Sequence, residues 1–285
     1  MQVSKISFQN QHYPDTLREL HNPPKELYVV GALPDPNRRY IAIVGTRSYT
    51  PYGKSVTYDL ALELARAGWV IVSGLALGID SFAHRGALDA GGLTMAVLPC
   101  GPDQIYPRSH AALAEEIVAH GGSLITELAP GAPTYKQQFV ARNRIVTGLC
   151  EAVVITESKA QGGAMRTAQF ALDQGKTVLA VPGDITRITS AGTNNLIRSG
   201  ATPVTSSTDI LQALHYDTGS IPASVVSAQN PHEARIVELL QAGTNRNDGL
   251  IAGTGLAAAE FASVISLMEI TGKVRNLGAG QWAAR

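Results

Sequence analysis

The stretch Ile41–Gly53, IAIVGTRSYTPYG, decides how this chain is read. The apolar run Ile41, Ala42, Ile43 and Val44 is too short for a helix and suits a buried parallel strand. Gly45 permits a sharp turn, and an amphipathic segment runs from Gly53 to Ala67. Strand, glycine turn and helix in that order build an anion site, because unpaired N–H groups and the helix dipole face whatever lies above the sheet. Arg47 adds a forked guanidinium suited to phosphate oxygens. The dinucleotide fingerprint G-x-G-x-x-G is absent, and an arginine stands where a pyrophosphate would need close backbone approach. The stretch reads as a phosphate site that is not an obvious NAD site.

Working outward, the same unit recurs. Strands are expected near 41–44, 69–73, 93–98, 122–126, 151–155, 177–181 and 201–204. Helical patterns fall near 53–67, 79–90, 109–119, 136–148, 163–174, 192–199 and 208–214. This alternation predicts an α/β core over 41–215, a parallel sheet with helices on both faces. Ligands of such sheets bind beyond the carboxyl ends of the strands, so the glycine turns at Gly45, Gly74 to Gly78, Gly101, Gly162-Gly163 and Gly183 share one rim. Residues 1–40 form a lead-in punctuated by prolines, with an edge strand at Leu27–Val30. Residues 216–230, small, polar and proline-bearing, read as a linker. In 231–285, apolar residues at helical spacing (Ile236, Val237, Leu240; then Phe261, Val264, Ile265, Met268) flank a short helix that Asp248 would cap. Two strand-like pieces, 273–277 and 281–283, follow. Three helices and a hairpin make a small C-terminal winged helix-turn-helix.

Composition sets the limits. The 285 residues suffice for one large and one small domain, and 45% apolar content supports a core. Basic and acidic residues balance at 23 each, so any nucleic-acid site must be a local patch. Cys100 and Cys150 have no metal or redox spacing and read as buried thiols of a cytoplasmic protein. No apolar run approaches the ~18 residues of a membrane span, so a soluble chain without membrane partners is expected. The seven histidines are scattered, and neither a metal nor a cofactor is expected.

Several residues on the rim have the chemistry of a polyanion site. Ser73, Gly74 and Gly78 can present a hydroxyl and N–H groups to a phosphate, or can serve only a tight turn. Asp80 and His84, four apart on one helix face, read better as a structural link from helix to loop than as a catalytic pair. Lys136, Arg142 and Arg144 place three cations within nine residues, with Phe139 among them. Lys136, Phe139 and Asn143 lie near one helical face. A cation beside an exposed aromatic holds single-stranded nucleic acid, the cation on phosphate and the ring under a base. Core packing is the other fate open to Phe139. Arg142 and Arg144 cannot both share its orientation, so one of them points to the rim or to an internal acid. Gly162-Gly163, followed by Arg166 and Thr167, opens another helix with a phosphate-type start.

In order, Tyr13-Pro14, Pro23-Pro24, Leu27-Tyr28, Gly45-Thr46-Arg47, Tyr52-Gly53, SGLALGIDSFAHRGAL (73–88), LPCGPDQIYP (98–107), TELAPG (126–131), FVARNRIVTGL (139–149), VPG (181–183) and GTNNLIRSGA (192–201) resemble the DprA/Smf family. The winged helix is similar to the one that many members carry. The resemblance implies an extended Rossmann-like core that binds single-stranded DNA and is not an enzyme. It also implies a homodimer through the core and loading of the RecA recombinase in natural transformation. By the same resemblance the DNA-contacting arginine falls on Arg47, and the lysine and stacking aromatic on Lys136 and Phe139. The expected groove then comprises Gly45, Thr46, Arg47, Ser73, Gly74, Gly78, Lys136, Phe139, Arg142, Asn143, Gly162 and Gly163. Two features depart from the family: no room for a preceding helical SAM-like domain, and GGAMRTA (162–168) where SGSLITA is usual. Two other readings are a nucleotide-phosphate ribohydrolase on a related core and a winged-helix transcription regulator. Against the first, the loop at Gly162-Gly163 lacks a third glycine and has Gln169 near the place of the expected glutamate.

Overall fold

Apolar runs become strands where helices cover both faces. The computed structural model describes residues 2–216, 231–270, 273–278 and 280–284. Its strands are β1 (Val3–Ser7), β2 (Glu26–Gly31), β3 (Tyr40–Val44), β4 (Val70–Ser73), β5 (Thr94–Val97), β6 (Ser123–Thr126), β7 (Ala152–Ile155), β8 (Thr177–Ala180) and β9 (Thr202–Pro203). The helices among them are α1 (Asp15–Arg18), α2 (Pro51–Arg66), α3 (Ile79–Asp89), α4 (Ala111–Ala119), α5 (Lys136–Ala141), α6 (Asn143–Gly148), α7 (Gly163–Asp173), α8 (Ala191–Arg198) and α9 (Ser207–Ala213). Every residue of β4, β5, β6 and β7 is buried, as a sheet covered on both faces requires.

The sheet order is β1-β2-β6-β5-β4-β3-β7-β8-β9. Strands β3 to β9 pair in parallel, whereas β2 runs antiparallel to both β1 and β6. The parallel sheet expected over 41–215 is present, and the lead-in strands β1 and β2 add an antiparallel pair at one end, so the whole sheet is mixed. Strand β2 is not an edge. It pairs with β1 on one side and β6 on the other, and Val29 and Val30, on opposite faces, are both buried. The true edge is β1, where only Ile6 is buried, too weak a pattern to announce a strand.

One apolar cluster lies where Leu17, Ile145, Val146, Ala164, Ala168 and Leu196 meet Val72, Val97 and Val153 of the sheet. A second joins Leu88, Leu113 and Ile117 to Val30, Ala96 and Leu124. The chain starts the parallel sheet at β3, adds β4, β5 and β6 on one side, then returns to place β7 on the other. The strand order therefore reverses between β3 and β7, and a crevice opens there at the carboxyl ends of the strands.

The chain divides into two compact units, Met1–Thr218 and Gly219–Arg285. Of the expected linker, 217–230 lies outside the described residues, while Tyr216 packs its ring edge-on to Trp69 at 5.7 Å and belongs to the first unit. The second unit holds α10 (Pro231–Gln241), α11 (Asn247–Thr254), α12 (Ala258–Ile270) and an antiparallel hairpin, β10 (Val274–Gly278) with β11 (Gln281–Ala284). Ile236, Leu250, Phe261, Ile265, Met268, Val274 and Trp282 form its core. Asp248 lies inside the first turn of α11, where its charge favours the helix dipole; it is not the cap, which is Arg246. No single helix among the described residues is long and apolar enough to cross a membrane.

Candidate nucleic-acid interface

Three glycine turns reach the rim of the crevice, and two of them are closed by the protein's own carboxylates. At the start of α2, the Thr50 N–H donates to Glu157 Oε2 at 2.9 Å, and the Thr46 N–H donates to the Glu157 carbonyl at 2.8 Å. Glu157 is buried, and Gly53 leaves the space that its carboxylate fills. The helix start that the sequence offers to a phosphate is thus already occupied by an internal anion. Gly45 serves close packing: a Cβ there would lie 2.6 Å from the Ile79 side chain and 2.8 Å from the Glu157 carbonyl oxygen.

At the turn before α3, Asp80 Oδ2 accepts the N–H groups of Gly74 (3.1 Å) and Ala76 (3.3 Å). Ser73 is buried and donates its hydroxyl to the Ile43 carbonyl at 2.7 Å. The Ser73 hydroxyl is thus already used, which removes it as an expected ligand contact, whereas Gly74 has its N–H held by Asp80 and lines a cleft with Arg47 and Phe139. Gly78, at φ +84°, lets α3 approach the Thr46-Arg47 turn; a Cβ would lie 2.8 Å from the Arg47 carbonyl oxygen. Asp80 does not meet His84. The His84 Nδ1 lies 2.7 Å from Thr94 Oγ1, and burial, then His110 and Arg142, hold the imidazole down to about 3.

The third turn, Gly162-Gly163 before α7, is open. Both glycines are exposed, no side chain caps the helix, and nothing lies within 4 Å of a Cβ added at either. This helix start lines a cleft of about 390 Å³ with Gly45, Thr46, Arg47, Ser48, Lys159 and Gln161. The cleft lies at the strand-order reversal between β3 and β7.

Beyond Arg47 the helix expected at 136–148 breaks into α5 and α6 at Arg142. Lys136 is exposed at the start of α5. Phe139, half-buried, meets Tyr106 edge-to-face at 4.9 Å, and the Arg47 guanidinium carbon lies 5.8 Å from its ring centre. Arg142 instead turns inward. It is 5% exposed and donates from Nη1 to the carbonyls of Gly74, at 2.6 Å, and Val97. Burial lowers its pKa to about 10, so it stays charged at neutral pH and faces the buried Asp80. Arg142 is thus a brace and not an exposed phosphate contact, which corrects its expected place in the groove. Asn143 accepts the Arg142 Nε–H at 3.1 Å and reaches the cleft floor. Arg144 pairs with the partly buried Glu127 at 2.6 Å.

Among the described residues, none of Arg47, Lys136, Lys159 and Arg166 forms an ion pair. In a chain of zero net charge, Arg47 and Lys159 give the cleft a local positive charge and Arg166 lines the cleft beside it. The family model for DNA recombination-mediator protein A matches residues 4–215. The chain belongs to this family. Among DprA/Smf relatives, DNA processing protein DprA of Bacillus subtilis is 39% identical over 213 residues, covering 74% of this chain and 71% of that protein. Protein Smf of Escherichia coli is 37% identical and covers 76% of this chain and 58% of its own length. The solved structure of DprA from Streptococcus pneumoniae superposes with a TM-score of 0.68 at 35% identity, covering 73% of each chain. DprA from Helicobacter pylori, solved for its single-stranded DNA binding mode, gives 0.66 at 35% identity and covers 75% of this chain and 96% of that one.

Against the DprA/Smf pattern, the departure at 162–168 has a simple physical outcome. Met165 packs against the core, and Arg166 is exposed along a cleft of about 620 Å³ with Val140, Gln161 and Gln169. The substitution adds a cation to the rim. Sequence reasoning missed Tyr106, Lys159 and Gln161. Tyr106 carries a faint signal, an aromatic between Gly101 and Pro107 on a strand-end loop; Lys159 has none, since one lysine in a polar loop is ordinary.

Proposed function

We propose that this protein is a single-strand DNA-binding recombination mediator that loads a RecA-type recombinase as a homodimer in the cytoplasm during natural transformation. One observation carries the reading: the Arg47 guanidinium, in no ion pair among the described residues, lies beside the Phe139 ring and shares a cleft with the open Gly162-Gly163 helix start, while Lys136 is exposed one helical turn before Phe139. Cations take the backbone, the ring stacks a base, and the helix dipole adds a phosphate position. Arg47, Thr46, Lys136, Phe139, Asn143, Gly162 and Gly163 line this path; Gly45, Gly78 and Arg142 shape it from beneath. Family membership and the single-strand mode of the H. pylori relative support the same partner. The recombinase and the dimer follow from the family alone. The winged helix does not favour a duplex reader: α12 carries Glu260 and Glu269 and no lysine or arginine, whereas a recognition helix meets phosphates on both sides of a groove.

The test is fluorescence anisotropy with labelled poly-dT and a matched duplex, comparing wild type with Arg47→Ala/Lys136→Ala. Tight poly-dT binding lost in the double variant is the expected result. Preference for duplex, kept in the double variant, would overturn it.

A further inference from the structure

The sheet rim continues past Arg47 into a second aromatic–cation cluster. Tyr49, two residues along the same loop and 46% exposed, meets the edge of Phe82 with ring centres 4.7 Å apart and planes at 81°. The Lys54 Nζ lies 5.3 Å from the centre of the Phe82 ring. Lys54 is exposed and forms no ion pair among the described residues. The three side chains come from the β3–α2 loop, α2 and α3, and the loop is locked to α3 where the Ile79 N–H donates to the Thr46 carbonyl at 3.2 Å. The spacing between this cluster and Arg47 is therefore fixed.

We propose that Tyr49, Phe82 and Lys54 form a second base-stacking platform that extends the single-strand path beyond the Arg47–Phe139 cluster. This rests on the single-strand reading above. Two residues of chain separate the Arg47 and Tyr49 backbones by at most about 7 Å, a distance that one or two nucleotides of a single strand cover, so a strand held by Arg47 reaches the second platform without a gap. The chemistry repeats that of the first cluster: a partly exposed aromatic pair, with Tyr49 outermost, for a base, and a cation for the adjoining phosphate. Continuity with the first site and the charge of Lys54 favour a nucleic acid over an apolar protein partner here.

The test uses the full chain and labelled oligo-dT of two lengths, about 6 and about 20 nucleotides, bracketing common single-strand site sizes. Tyr49→Ala/Phe82→Leu keeps apolar volume at Phe82 but removes both rings. Affinity for the long oligonucleotide is expected to fall about tenfold, with the short one changed less than about twofold. Lys54→Gln, which alters no buried group, is expected to weaken only the long oligonucleotide and to reduce its salt slope by about 0.7. Wild-type affinity for both lengths in both variants overturns the platform. So does unchanged affinity accompanied by a shift in oligomeric state, which would assign the rings to a contact between copies of the chain. If Arg47→Ala/Lys136→Ala also binds the short oligonucleotide like wild type, the single-strand reading falls as well; if only the ring variants are silent, that reading stands.

Discussion

Arg142 donates from Nη1 to the carbonyl of Gly74 at 2.6 Å, joining the break between α5 and α6 to the carboxyl end of β4. The same Gly74 gives its N–H to Asp80, so one glycine residue links the buried Arg142 and the buried Asp80. Arg142→Met is expected to leave the Gly74 and Val97 carbonyls without their donor and to remove the positive charge near the buried Asp80, at a cost of about 1–3 kcal/mol for each unsatisfied group. Chemical denaturation measures this, and a loss below about 1 kcal/mol would contradict the bracing role.

Gly78→Ala tests the approach of α3 to Arg47. The position has φ +84°, and a Cβ would press on the Arg47 backbone. A non-glycine residue in that region costs about 1–3 kcal/mol. Single-strand affinity is expected to fall with stability, because the Arg47 loop must move; a melting curve and an anisotropy titration on the same sample decide it.

Gly163→Glu separates binding from stability. Its side chain enters open space, and a carboxylate in the first turn of α7 favours the helix dipole by about 0.3–1 kcal/mol. The fold is expected to be as stable as wild type or slightly more so, while poly-dT affinity falls because the anion position is filled. Unchanged affinity would remove this helix start from the strand path.

Lys136→Ala is expected to weaken binding of all single-strand sequences alike and to lower the slope of log affinity against log salt by about 0.7, the value for one phosphate contact on a single strand. An unchanged slope would show that Lys136 holds no phosphate.

His84 makes the fold acid-sensitive. Its imidazole is held to about 3 in the native protein against an ordinary 6.5, so below 6.5 the unfolded chain takes a proton that the native one refuses. This contribution is fully present above pH 6.5 and is lost as pH falls towards 3, amounting to about 2 kcal/mol by pH 5. His84→Asn, which keeps a partner for Thr94, is expected to flatten the decline in melting temperature between pH 6.5 and 5.

The sequence by itself determined the elements of the core, the glycine turns, the rim on which they gather and the family. Apolar runs, helical periodicity and glycine are local records of burial and backbone freedom, so Ile41–Val44, Val70–Ser73 and Ala152–Ile155 were legible one segment at a time. Arg47, Lys136 and Phe139 were legible as chemistry in the same way. Tertiary structure alone decided which of these groups are free to bind. Glu157 reaches across 107 residues to fill the helix start at Thr50, Arg142 turns 68 residues back to Gly74, and only Gly162-Gly163 among the three turns stays open. It also placed Tyr106 against Phe139 and β2 between two neighbours. The physical reason is that a hydrogen-bond donor or a charge announces its capacity in sequence, but the partner that satisfies it comes from wherever the chain folds back.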